Sequence, residues 1–261
     1  MSLHQVKKGS DIISYADYGQ KDGFPILVQH GLIASIKQGY LFDTLVQAGV
    51  RVICIARPGY GESTPLSMRT IGEWANLAAV VIDHLGLARF DLLGSSSGAP
   101  YAYAIAHGLP DIVRHVYIYS GVPAMYDPCV QSKWPFEIKT DCTLADMQKL
   151  AHGLFFSNLS DQDLLDDAMR DSMASGAFGI AQDFYLRVRG WGFTLDQIRQ
   201  PVFLRHARQD SGVPYETALM TSRFLQNATL YADENDIHFS KESLEAFFEG
   251  FVIPNLPGIM K

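Results

Sequence analysis

Short apolar runs rich in β-branched residues alternate with longer stretches whose apolar positions recur every three or four residues along most of this chain. The short runs cover 12–18, 26–29, 50–55, 90–94, 113–119, 202–206 and 229–232, and they read as strands. The near-continuous apolarity of a run such as VRVICI means burial on both faces, the mark of an inner parallel strand. Helical periodicity fills 38–47, 71–85, 97–107, 215–225 and 241–251. Strand and helix in alternation predict a mostly parallel sheet with helices on both faces. The rhythm breaks between about 122 and 195, where aromatics, methionines and paired acids follow one another with no strand pattern. In SNLSDQDLLDDAMRDSMASG, Ser and Asp offer helix caps, and Leu165, Ala168 and Met169 share a face at i, i+3 and i+4. A helical block placed between two strands predicts a lid over one edge of the sheet.

Composition then narrows what such a molecule is for. The chain has 261 residues, 48% of them apolar and 19% charged, enough to bury a large core as one domain with an insertion. The net charge is -7 and the bases are scattered, which argues against a nucleic-acid surface. The opening MSLHQVKKGSDI has no apolar core segment, and no run of 18 apolar residues occurs, so neither a signal peptide nor a membrane span is expected and a cytoplasmic location is the default. Cys54, Cys129 and Cys142 are odd in number and lack CxxC spacing, so no disulfide framework or zinc knuckle is indicated.

Candidate chemistry starts at GSSSG. Only Ser96 has glycine two residues away on both sides, at Gly94 and Gly98. A residue on a tight strand-to-helix turn takes a strained backbone conformation, and small neighbours let the two elements approach. The apolar run before it and the alanine-rich run after it, with Pro100 early enough for a first helical turn, supply that setting. Upstream, the strand 26–29 ends in His30-Gly31-Leu32. A sharp turn at Gly31 would let the Leu32 N–H face a developing negative oxygen, with the Ser97 N–H as its partner. Between these two motifs lies RPGYGES, a tight loop from Arg57 to Ser63.

In the order strand and HG, strand and RPGYGES, strand and GSSSG, the sequence resembles the α/β-hydrolase family over nearly all of the chain outside the lid. The resemblance implies an eight-stranded, mostly parallel sheet flanked by helices, with a helical cap inserted after the sixth strand. Residues 1–121 and 198–261 would form the core domain and 122–197 the cap. It also implies an acid and a histidine in late loops at the carboxyl edge of the sheet. PVFLRHARQDSGVP offers Asp210, with Asp127 as the alternative location for the acid, and ATLYADENDIHFSKESLEAF offers His238. His238 would take the Ser96 proton, Asp210 would orient the imidazole, and the Leu32 and Ser97 N–H groups would bind the oxyanion. Of the other histidines, His84 and His107 fall in helical patterns, His115 and His206 in strands and His152 in the lid, all read as structural. Asp233, Glu234 and Asp236 read as a solvated acidic turn, able to raise the His238 pKa if close. Two positions depart from the family pattern: Ile237 stands where glycine usually precedes the histidine, and Ala56 stands where an aspartate commonly precedes the loop arginine.

The insert carries Trp134, Phe136, Phe155, Phe156, Phe178, Phe184, Tyr185, Trp191 and Phe193. Most should be core. Trp134, Phe136, Phe155 and Trp191, with His30, Gly31 and Ser95, are expected to line the substrate pocket. Arg187 and Arg189 read as a solvated face, with carboxylate binding as the alternative. The expectation is therefore a serine hydrolase that cleaves a carboxylic ester of a small to medium apolar substrate through an acyl-enzyme. It would need no metal or cofactor and no nucleic-acid or membrane partner, and would work as a monomer or homodimer. Carbon–carbon bond hydrolysis, thioester or lactone opening, and a hydrolase-like receptor are the alternatives. Serine at the turn argues against dehalogenase and epoxide hydrolase chemistry, which in this family use aspartate there.

Overall fold

The computed structural model describes residues 2–234 and 237–258. Eight strands form one sheet: β1 (Ser2–Lys8), β2 (Asp11–Tyr18), β3 (Phe24–Gln29), β4 (Val50–Ile55), β5 (Phe90–Ser95), β6 (Val113–Tyr119), β7 (Val202–Ala207) and β8 (Ala228–Asp233). Their order across the sheet is β1-β2-β4-β3-β5-β6-β7-β8. The β1–β2 and β2–β4 pairs are antiparallel and all later pairs are parallel. β1 escapes the periodicity argument because SLHQVKK alternates weakly and sits half exposed at the edge.

The two faces follow from the two-residue period of the strands. In β4, Val50, Val52 and Cys54 join one apolar cluster while Ile53 and Ile55 join the other. The first cluster packs under α1 (Asp43–Gln47) and α8 (Lys241–Phe247) through Leu45, Leu244 and Phe247. The second packs under α2 (Trp74–His84) and α3 (Ala99–Gly108), with α7 (Tyr215–Ser222) on the same side through Met220. Trp74 is fully buried, and its indole N–H donates to Gln29 Oε1 at 2.7 Å, tying α2 to the end of β3. Burial of one such side chain stabilises by about 1.5–3 kcal/mol.

Between β6 and β7 the chain is helical, as its pattern predicts, in α4 (Pro128–Gln131), α5 (Leu144–Phe155) and α6 (Asp167–Arg187). Thr143 and Asp146 cap α5 reciprocally. The expected face of Leu165, Ala168 and Met169 does not form, because Leu165 ends a separate 3₁₀ turn and is exposed, and Asp166 starts α6 by accepting from the Ala168 and Met169 N–H groups. α6 is itself broken: Ser175, Gly176 and Ala177 all adopt positive φ, at 53°, 67° and 59°. Among the described residues no helix is long and apolar enough to cross a membrane.

Candidate active site

The GSSSG turn begins with extended backbone at Ser95, takes a left-handed conformation at Ser96 (φ 50°), and continues as a 3₁₀ turn into α3, with Pro100 in its first turn. Left-handed backbone costs a non-glycine residue about 1–2 kcal/mol. The surroundings hold it: the Val122 N–H donates to Ser96 O at 2.9 Å. The flanking glycines are required by close approach. A Cβ on Gly98 would stand 2.0 Å from the Gln29 carbonyl oxygen, and one on Gly94 would stand 2.9 Å from Ala99 Cα. Helix and strand can therefore meet only across these two positions, and Ser96 projects free of both.

His238, in the segment between β8 and α8, reaches that hydroxyl. The Ser96 Oγ to His238 Nε2 distance is 2.9 Å, and His238 Nδ1 lies 2.6 Å from Asp210 Oδ2. Asp210 follows β7 and is buried. Its Oδ1 accepts from the Gly212 and Val213 N–H groups at 2.9 and 2.8 Å. Burial alone would raise its pKa, but hydrogen bonds from His206, His238 and Val213 outweigh burial and hold the carboxyl well below the usual carboxylate range. The ionised Asp210 accepts from Nδ1–H, which leaves Nε2 as the acceptor for the serine hydroxyl.

The His30-Gly31-Leu32 segment runs alongside: a Cβ on Gly31 would sit 3.7 Å from Ser96 Cβ. Arg57, fully buried, donates from Nη1 to His30 O at 2.5 Å and from Nη2 to Gly31 O at 3.0 Å. The Arg57 N–H donates to His30 Nε2 at 3.2 Å, so Nδ1 carries the proton toward Gly31 O, 2.9 Å away. Burial, then the Arg57 charge, push the His30 pKa well below its ordinary value, and the ring is neutral. With Ala56 in place of the usual aspartate, the carboxylate for Arg57 comes from the insert. Asp183 of α6 accepts from Arg57 Nη2 at 2.7 Å, Tyr60 Oη at 3.0 Å and Tyr101 Oη at 2.6 Å. Sequence reasoning missed Asp183.

A cavity of about 900 Å³ opens over Ser96 and His238. Of the predicted residues, His30, Gly31, Leu32, Ser95 and Ser97 line it from the sheet side, and Trp134, Phe136 and Phe155 from the insert. Trp191 does not, which corrects the expectation: it is buried against Tyr126 and Phe193, and its indole N–H caps Arg187 O at 2.9 Å. Arg187 and Arg189 part company. Arg189 is held by the Tyr185 and Thr140 carbonyls. Arg187 lines the cavity, packed on the Phe184 and Trp134 rings at 4.5 and 5.4 Å, and its Nε has no hydrogen-bond partner. Burial pulls its pKa down to about 10, against the pull of Asp183.

Other candidates take structural places. Asp127 caps α4 and Asp233 pairs with Arg205 at 2.8 Å. Glu234 pairs with Arg208, and Asp236 lies outside the described residues. His206, read as a structural strand residue, lies 3.4 Å from Asp210 Oδ2, and its i, i+4 spacing to Asp210 was the available signal. Among the described residues no group of three His, Cys, Asp or Glu side chains could hold a metal ion.

Comparison with known proteins adds a family. The family described as alpha/beta hydrolase fold matches residues 25–243. The chain is 26% identical over 226 residues to a 2-hydroxy-6-oxononadienedioate/2-hydroxy-6-oxononatrienedioate hydrolase of Pseudomonas putida, covering 78% of this chain and 77% of that protein. It is also 26% identical over 100 residues to an uncharacterized hydrolase of Bacillus subtilis, 38% of this chain and 35% of that protein, so the match spans about a third of that relative. In structure it is similar to an esterase from Exiguobacterium antarcticum with a TM-score of 0.74 at 22% identity, over 95% of this chain and 97% of that one, a likeness of fold.

Proposed function

The chain belongs to the alpha/beta hydrolase fold family, and from that premise we propose that it is a serine hydrolase acting on carboxylic esters of small to medium apolar acids or alcohols. The observation that carries the reading is the unbroken hydrogen-bonded line from Ser96 Oγ through His238 to Asp210, with the serine strained free of the sheet. His238 Nε2 takes the hydroxyl proton as Ser96 Oγ attacks the substrate carbonyl carbon. The oxyanion is met by the Leu32 and Ser97 N–H groups, where loss of one such donor typically costs about 3–4 kcal/mol. The tetrahedral species collapses to an acyl-serine as His238 returns the proton to the leaving alcohol. A water deprotonated by His238 then releases the acid. Residues 122–197 act in this reading as the cap, whose aromatic underside excludes water from the reacting bond.

A second reading, hydrolysis of a carbon–carbon bond in an oxo acid on the same residues, is favoured by one observation. Arg187 offers the cavity a cation with no carboxylate within 4.0 Å among the described residues, and the Pseudomonas putida relative is named for an oxo-dioate substrate.

The test is labelling with a fluorophosphonate, run on the native chain and on Ser96→Ala, Ser95→Ala and Ser97→Ala. Turnover is followed on p-nitrophenyl esters of increasing acyl length and on a vinylogous diketo acid. Only Ser96→Ala should lose labelling and turnover together. Full esterase activity in Ser96→Ala would refute the proposal, and the preferred substrate separates the two readings.

A further inference from the structure

The peptide joining Gly31 to Leu32 is gripped through its carbonyl oxygen. Its carbonyl oxygen accepts from Arg57 Nη2 at 3.0 Å and lies 2.9 Å from His30 Nδ1. A trans peptide directs its N–H opposite its C=O, so fixing that oxygen fixes the line along which the Leu32 N–H points. Arg57 grips the preceding peptide too, through His30 O. Downstream, Ser172 is completely buried, accepts from the Ala34 N–H at 3.1 Å, and faces the Ala34 and Leu32 carbonyl oxygens at 3.4 and 3.5 Å. Asp171 beside it binds the Ser35 hydroxyl and the Lys37 ammonium, the latter at 3.0 Å.

These grips share one origin. Arg57 owes its position to Asp183, which neutralises it at 2.7 Å, and Asp183 and Ser172 both belong to α6. Roofing a cavity asks only for an apolar underside, whereas α6 sends buried polar side chains to Leu32, Ala34, Ser35 and Lys37 of one loop. Neither Arg57 nor Asp183 nor Ser172 lines the cavity that holds Ser96 and His238. We propose that α6 positions the oxyanion donor: Asp183 acting through Arg57, and Ser172 acting directly, hold residues 31–34 so that the Leu32 N–H faces the substrate oxygen as it gains charge. The inference rests on the hydrolase reading above. All three are positioning residues, and their effect falls on the transition state more than on substrate binding, because the carbonyl gains most of its charge only there.

The experiment compares Ser172→Ala and Asp183→Asn with the native full-length chain and with Ser96→Ala as background. It measures kcat and KM on p-nitrophenyl butyrate, the inhibition constant of an alkyl trifluoromethyl ketone whose serine adduct carries the oxyanion, and the melting temperature. Ser172→Ala should lower kcat about tenfold and Asp183→Asn about a hundredfold, neither exceeding the hundred- to thousandfold loss that follows removal of one donor. KM should stay within about twofold, and ketone affinity should weaken by the same factor as kcat. Should Asp183→Asn fail to fold, Ser172→Ala alone decides. Unchanged kcat and ketone affinity beside a lowered melting temperature, or a raised KM at constant kcat, would overturn the inference. A native chain no more active than Ser96→Ala on every ester and diketone would instead overturn the hydrolase reading and the inference with it.

Discussion

His206 Nε2 lies 3.4 Å from the same Asp210 oxygen that accepts from His238 Nδ1, so one carboxylate oxygen serves two imidazoles. The nearer contact of His206 is the Val213 carbonyl at 2.7 Å, which makes its Nε2 the donor. Both Asp210 and Val213 belong to the loop that presents the carboxylate, and His206 braces that loop from the end of β7.

His206→Phe should therefore change how stability depends on pH. Asp210 has a depressed pKa in the folded chain, so its contribution is complete above the unfolded value of about 4 and is lost as pH falls through the folded value. Without the His206 hydrogen bond the folded pKa rises toward the ordinary range, so the loss still begins near the unfolded value but is smaller and is complete at a higher pH. Urea unfolding from pH 6 down to pH 2 should show the variant about 1.5–3 kcal/mol less stable at pH 6, with the gap between the two chains closing at the acid end, where Asp210 protonates in the folded variant before it does in the folded native chain. Parallel curves would refute the brace.

Gly98→Ala should disrupt the fold more than Gly94→Ala. At Gly98 the added methyl meets Gln29 backbone, which cannot yield without parting α3 from β3, and a loss above about 4 kcal/mol or failure to fold is expected. At Gly94 the nearest atoms are Ala99 Cα at 2.9 Å and Ala102 Cβ at 3.0 Å, and about 1–3 kcal/mol is expected. Equal urea midpoints for the two variants would contradict this ranking.

Ser175→Gly should stabilise the chain. Ser175 is exposed and holds φ 53° with no packing to lose. Relief of left-handed strain exceeds the extra chain entropy of glycine by about 0.5–1 kcal/mol. A rise of a few degrees in melting temperature is the expected readout, and a fall would mean the serine makes the turn.

Arg187→Gln should separate charged from neutral substrates. At neutral pH the guanidinium remains a cation, its pKa pulled down to about 10 by burial. For an ester carrying a free carboxylate, kcat/KM should drop about a hundredfold, the worth of a charge-assisted pair, while the matched neutral ester changes little. Arg189→Gln, bound to the Tyr185 and Thr140 carbonyls, should alter neither ratio. Equal losses on both esters would place Arg187 in packing alone.

The parts of the site that lay in local pattern were legible beforehand. Ser96 stood out because close backbone approach demands its two glycines, and that demand is written within five residues. Asp210 and His238 were legible through strand order and family resemblance, and in the folded chain they stand in one line with Ser96. Asp183 was hidden because its partner Arg57 is 126 positions away and no spacing rule links them. Trp191 was misread for a related reason: an aromatic in a helical insert meets core or cavity according to the direction of one side chain. β1 was passed over because its alternation is polar and its face half exposed. The break in α6 falls in MASGAFG, whose alanines favour the helix that the backbone there abandons.

That break sets a phase. Asp183 lies twelve positions after Asp171, and in an unbroken helix advancing about 100° per residue they would stand roughly a third of a turn apart. One would then address the loop at residues 35–37 while the other looked past Arg57. The left-handed residues reset the winding, so two half-helices each aim a carboxylate at their own basic partner. A single-residue deletion between 174 and 177 would offset the second half by about 100°, turning Asp183 away from Arg57 with no change at either acid.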